Sequence, residues 1–293
     1  MAAVALAYFD ILQGDEAVKA RESNVTLFQQ IVRMARDKRT GGMASGLDTA
    51  RAEAHLDNER QRVLIAKNEV ARARLALLRA IGLPYEVPVV LTDELHVPET
   101  PVPMIEQALD IAEHNRVEVK AQVHRIQAAQ LAAQSTMSER LPSLVARGDL
   151  GQIGNHWTDT LTTHNIGLVL SVPIFDGGQR EGRVQQTRSQ YQQEVIRLQD
   201  VRSQVGLEVH EAIVTLQSSR EQLDISKSGL RAALTEFELA RERFVTLQSS
   251  NVELTTAQLS LVRARDNALD ALKRVHASRV NLARSLGQLD RLY

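Results

Sequence analysis

The chain has 293 residues, of which 43% are hydrophobic but only 3% aromatic, with 35 basic against 36 acidic side chains and no cysteine. The net charge of −1 gives no basic excess for a nucleic-acid partner. The missing cysteines exclude disulfides, thiolate metal sites and a cysteine nucleophile.

Ala, Leu, Val, Gln, Arg and Glu dominate, the usage of long helices and coiled coils. All 7 prolines lie at or before Pro173, so the remaining 120 residues can form very long helices. No apolar run reaches the roughly 18 residues of a membrane-spanning helix. The opening MAAVALAYFDILQGDEA lacks a basic leader and carries Asp10. It reads as the middle of a helix whose beginning is missing, not as a signal peptide.

In chain order, a first helix is expected from about Ala2 to Arg39, then a Gly-rich break from Thr40 to Gly46. A second helix runs from about Leu47 to Ile81 and stops at Gly82-Leu83-Pro84, a glycine-then-proline terminator. A Pro-rich linker occupies 83–103. A third helix is expected from near Met104 to just before Leu141-Pro142. Next come two alternating segments, Leu144 to Leu150 and Ile166 to Ile174, with a polar loop between them from Gly151 to Thr163. In the second segment Ile166, Leu168, Leu170, Val172 and Ile174 share one apolar face, opposite Asn165, Gly167, Val169 and Ser171.

From Gln179 to about Leu247 the pattern predicts one helix, a rod of about 100 Å at 1.5 Å per residue. A heptad series marks it: Val195, Val209, Leu216, Leu223, Leu230, Phe237 and Phe244, interrupted at Arg202. Val184, Tyr191, Leu198, Val205 and Ala212 form a second series. Such spacing means a seam that supercoils against neighbouring helices. A last helix is expected from about Val252 to Leu286, before Gly287.

The chain also repeats itself at an offset of 205 residues. Ala35-Arg36 matches Ala240-Arg241, Leu56 matches Leu261, and Arg79-Ala80-Ile81-Gly82 matches Arg284-Ser285-Leu286-Gly287. A helix, tip, helix unit therefore occurs twice. Residues 1–82 read as the second half of one repeat and 104–289 as a complete second repeat, so a duplicated protein without its first third is expected.

The segment Val172-Pro173-Ile174-Phe175-Asp176-Gly177-Gly178-Gln179-Arg180 resembles the strand-to-helix signature of TolC-like outer-membrane efflux and secretion factors. Leu141-Pro142-Ser143-Leu144 resembles that family's entry into its outward strand. Asn115-Arg116-Val117-Glu118 resembles a helix start in which Val117 replaces proline, and Arg39-Thr40-Gly41-Gly42 to Leu47-Asp48 resembles a helix-tip turn. The resemblance implies a mainly α protomer of long antiparallel coiled-coil helices with one transmembrane β-hairpin, three protomers closing one barrel. It implies a passive conduit in the outer membrane reaching into the periplasm, with no cofactor and no enzymatic activity. Its partners would be outer-membrane lipid, a periplasmic membrane-fusion adaptor and an inner-membrane pump.

By that resemblance Gly41, Gly42, Met43, Thr246, Leu247 and Gln248 are adaptor contacts, and Asp48 and Glu253 belong to the closed aperture; the neighbouring family carboxylate position is Thr256 here. Ile166, Leu168, Leu170, Val172 and Ile174 would face lipid. Pro173, Phe175, Asp176, Gly177 and Gly178 would form the strand-to-helix turn, where proline ends ladder pairing and glycine supplies unusual torsions. The rival reading is a soluble coiled-coil scaffold, which has no use for an apolar strand face. The histidines include no His-Glu-x-x-His pair, and Gly148 to Gly154 precedes no helix, so neither a metal centre nor a nucleotide loop is expected. No Gly-x-Ser-x-Gly occurs either.

Overall fold

The computed structural model describes residues 2–42, 45–93, 101–156, 159–246, 248–249 and 251–289. Along the chain lie α1 (Ala2–Thr40), α2 (Gly46–Ile81), α3 (Ile105–Asn115), α4 (Val117–Ser138), β1 (Ser143–His156), β2 (Asp159–Ser171), α5 (Gln179–Val245) and α6 (Asn251–Ser285). Two compact units divide them. The first comprises 1–115 with 206–293, the second 116–205, and α5 contributes to both.

The first unit has a continuous core. Phe28, Ile31, Val32 and Ala35 of α1 meet Ala52 and Leu56 of α2, Ala233, Phe237, Ala240 and Phe244 of α5, and Leu254, Ala257, Leu261 and Val262 of α6. The matched repeat positions Ala35 and Ala240, and Leu56 and Leu261, all lie in it, so these matches fall on packing positions. The heptad residues Val209, Leu216, Leu223, Phe237 and Phe244 are buried, as a supercoiling seam requires. At Gly14 a Cβ would stand 2.6 Å from Val70 Cγ2, which shows how closely α1 and α2 approach there.

Both repeat copies end in the same cap. Gly82 (φ 75°) and Gly287 (φ 69°) adopt the left-handed conformation. The following amides reach back to the last helical turn, Leu83 N to Leu78 O at 3.0 Å and Gln288 N to Ala283 O at 2.9 Å. This is the six-to-one closure that follows a left-handed glycine.

The third helix is two helices and not one: α3 ends at Asn115, Arg116 takes an extended conformation (φ −61°, ψ 125°), and α4 starts afresh at Val117. The segment expected as a polar loop is also different. β1 runs on through Gly151, Gln152, Ile153 and Gly154, paired with Thr163, Thr162, Leu161 and Thr160 of β2. Antiparallel backbone pairing carries the ladder through the poor strand formers Gly151, Gln152 and Gly154. Residues 157 and 158 lie outside the described residues.

Candidate functional site

Register decides which hairpin side chains share a face, because directly paired residues of an antiparallel ladder point the same way. Leu144 pairs with Leu170, Ala146 with Leu168, Gly148 with Ile166 and Leu150 with His164. These form one largely apolar face. The other carries Ser143, Arg147, Asp149, Asn165 and Ser171, with Val145 opposite Val169. Ile166, Leu168 and Leu170 are 88%, 73% and 63% exposed. Such a stripe on a two-stranded ribbon is far from the usual fate of large aliphatic side chains. Val172 and Ile174 are exposed too, but β2 ends at Ser171, so they lie beyond the ladder.

The turn into α5 is built around Asp176. Its carboxylate accepts from Gly178 N at 3.2 Å and Arg180 N at 3.1 Å, and pairs with Arg180 Nε at 2.9 Å. It caps the helix N-terminus, where unpaired amides favour a carboxylate. Gly177 (φ 70°) and Gly178 (φ 86°) supply the left-handed torsions that turn the chain. Phe175 is exposed at the base of the hairpin. Two crossed ion pairs, Arg183–Glu139 at 2.6 Å and Arg140–Glu181 at 2.5 Å, join α5 to the end of α4 just below.

The two tips differ. In the first, Gly41 N and Gly42 N close the end of α1 onto Asp37 O and Arg39 O, with Gly42 at φ 72°. Met43 lies outside the described residues. Ser45 and Asp48 then form a reciprocal capping box, Asp48 N donating to Ser45 Oγ (3.3 Å) and Ser45 N to Asp48 Oδ2 (3.1 Å). The spacing Ser-x-x-Asp carries this capping signal in the sequence.

In the second tip, Thr246 N donates to Glu242 O and Gln248 N to Arg243 O. Leu247 lies outside the described residues. Glu253, in the first turn of α6, pairs with Arg243 at 2.6 Å. That partner was not anticipated, because its role depends on how the two helices meet at the turn. A second unanticipated contact joins the helix ends that lead into the tips. Lys38 Nζ donates to Phe244 O at 2.7 Å and stands 3.3 Å above the Phe244 ring. Desolvation lowers the Lys38 pKa from the ordinary lysine value.

Among the described residues no group of three or more metal-ligating side chains occurs, and no helix is long and apolar enough to cross a membrane. His210 is exposed, with its Nδ1 2.7 Å from Gly206 O one turn earlier.

The model of the family described as outer membrane efflux protein matches residues 108–288. The outer membrane efflux protein BepC of Brucella suis is 22% identical over 276 residues, covering 90% of this chain and 59% of BepC. The probable efflux pump outer membrane protein TtgC of Pseudomonas putida is 23% identical, covering 98% of this chain and 60% of TtgC. The chain thus spans about three-fifths of the length of these relatives. The crystal structure of the outer membrane protein VceC from Vibrio cholerae superposes with a TM-score of 0.81 at 15% identity, over 98% of this chain and 69% of VceC. The chain therefore belongs to the outer membrane efflux protein family, has the long-helix fold of TolC-like channels, and has its place in the outer membrane with helices reaching into the periplasm.

Proposed function

We propose that the protein is a subunit of a passive export duct, the outer-membrane component of a tripartite efflux pump or type I secretion system. The observation that carries this reading is the exposed apolar face of the hairpin, Leu144, Leu150, Ile166, Leu168 and Leu170. Lipid is the solvent in which such a face is stable. Among the described residues each strand has a single partner in the two-stranded sheet, so two edges stay open. Open edges are not tolerated in hydrocarbon, and hairpins from further copies would close them, in the family manner as a homotrimer. Val172 and Ile174 would extend the lipid-facing surface past the end of the ladder.

The tips supply the other end of the duct. Gly41, Gly42, Met43, Thr246, Leu247 and Gln248 would meet the adaptor, and Asp48 and Glu253 would lie at the aperture. Asp48 is engaged by its capping box, so Glu253 is the better candidate for a ring of carboxylates, with Arg243 tempering its charge. Energy and substrate choice would come from the inner-membrane pump; this reading assigns the chain no catalytic step and no cofactor.

The test is reconstitution of the chain in planar bilayers. Discrete conductance steps are expected, blocked by multivalent cations. Glu253→Ala should weaken the block more than Asp48→Ala, because symmetry-related carboxylates attract cations. A chain that stays in the aqueous phase as a discrete helical oligomer and never adds conductance would favour the scaffold reading instead.

A further inference from the structure

The 205-residue repeat extends to two grooves of the first unit. One lies where α1, α2 and α6 meet, and Ala17, Arg21, Arg62, Ala66 and Glu69 of α1 and α2 line it. Adding 205 to each number gives Gln222, Ser226, Asn267, Ala271 and Arg274, and all five line a groove between α5 and α6. The grooves are therefore equivalent parts of the two repeats. They differ in their third wall. Asp266, Leu269 and Lys273 of α6 close the first, whereas the residues lining the second come from α5 and α6 alone.

Definite contacts hold the third wall of the first groove. Arg21, which also pairs with the buried Glu59 of α2, meets Asp266 at 2.8 Å. Asp10 pairs with Lys273 at 3.2 Å, and Phe9 stacks on the His276 ring at 4.7 Å. Val280 follows His276 by one turn on α6 and is fully buried. The repeat counterparts of Asp266, Leu269, Lys273, His276 and Val280 are Gln61, Leu64, Asn68, Ala71 and Leu75 of α2. All five are exposed, Leu64 by 69% and Leu75 by 46%. On α5 the counterparts of Phe9 and Ala20 are Val214 and Ile225, 61% and 72% exposed. Gly229 stands where the buried Asn24 stands, and a Cβ there would meet nothing within 4 Å. Thus α2 carries an aliphatic ridge, and α5 a hollow of small residues edged by aliphatic ones, the complement that helix packing uses.

We propose that α2 of a second copy of this chain seats in the α5–α6 groove, as α6 seats on α1 and α2 within one chain. The contact is heterologous, since α2 of one copy meets α5 of the next, and such contacts generate a ring when the rotation closes. The intrachain contact sets the register. Asp266 opposite Arg21 becomes Gln61 opposite Ser226, and Lys273 opposite Asp10 becomes Asn68 opposite Thr215. Ala71 comes to Val214, and Leu64 to the small residues Ser226 and Gly229. No like charges oppose each other at these levels. The proposal rests on the homotrimer of the export reading for the number of copies; its evidence is the repeat and not the hairpin.

The absence of cysteine makes the test direct. Val214→Cys and Ala71→Cys chains, both at exposed positions, are co-expressed, purified in detergent and oxidised. A covalent dimer is expected from the pair and none from either variant alone. Asp57 is also exposed and lies about 21 Å along α2 from Ala71, so Asp57→Cys with Val214→Cys should stay unlinked. Adding Leu64→Glu to the linking pair should remove most of the covalent dimer and leave the helix content by circular dichroism unchanged. Absence of the Val214–Ala71 link, an equal link at Asp57, or a link of either variant with itself overturns the proposal. So does a Leu64→Glu pair that links as well as its parent. Conductance without the link removes this contact and keeps the export reading, whereas a linked protein that never conducts does the reverse.

Discussion

The two units use the same aliphatic residues in opposite ways. In the first, Phe28, Ile31, Phe237, Leu254 and Leu261 close a core among four helices of one chain. In the second, the buried side chains among the described residues are Arg116, Val119, Gln122 and Val205, while Leu131, Ile196, Leu168 and Leu170 stand exposed. There α4 and α5 are joined by polar contacts instead. Gln122 Nε2 donates to Glu194 O (3.0 Å) and Oε2 (2.7 Å), and the crossed arginine–glutamate pairs lie further along. Exposed ion pairs contribute little, about 0–1 kcal/mol each. The first unit therefore closes a core of its own, although Leu64, Val214 and Ile225 on it stand exposed, whereas few side chains of the second are buried.

Substitutions can break this comparison, and the largest effect belongs to the core. Leu261 is 1% exposed, and Leu261→Ala should lower stability by about 2–5 kcal/mol in thermal or denaturant unfolding. Leu168→Ala should leave that transition nearly unchanged in water. Similar losses at both sites would mean that the hairpin is covered within the chain.

A somewhat smaller effect should appear only in bilayers. Leu168→Arg should weaken insertion by about 2–4 kcal/mol if the site lies near the midplane. Val169→Arg should be milder, since register puts Val169 on the face with Arg147, Asp149 and Asn165. Folding titrations into lipid vesicles measure both, and equal penalties would refute the assigned faces.

The smallest effect sharpens the comparison inside the first unit. The folded-state pKa of Asp266 is raised, so the native chain binds that proton more tightly than the unfolded chain. This contribution to stability is present below the unfolded pKa and is lost as pH rises through the folded one. Asp266→Asn should remove this part of the pH dependence in denaturant titrations without lowering stability at neutral pH. A variant that is less stable at neutral pH would show that the Arg21 pair outweighs desolvation.

Much of the fold was legible in the residues because it depends on local or periodic signals. The proline-free span and the heptads from Val209 to Phe244 foretold α5 and its buried seam, and Gly82 and Gly287 foretold two helix ends. The alternation around Leu168 foretold an apolar strand face. The strand through Gly151 to Gly154 was not legible, because Gly151, Gln152 and Gly154 are poor strand formers that mask the preference of Ile153, and the partner strand holds them extended. The break at Arg116 was equally hidden, since Val117 replaces the proline that would have announced it.

By itself the sequence determined the long helices, their order and the apolar alternation around Leu168, since these follow from torsional preferences and hydrophobic period acting over a few neighbouring residues. Tertiary structure alone decided which charged groups meet. Arg21, Glu59 and Asp266 are separated by 38 and 207 residues, and nothing local marks them as partners. Lys38 finds Phe244, and Glu253 finds Arg243, only when helix ends come together. An ion pair needs atoms within about 4 Å, and distances of that size between remote residues are set by packing of whole helices.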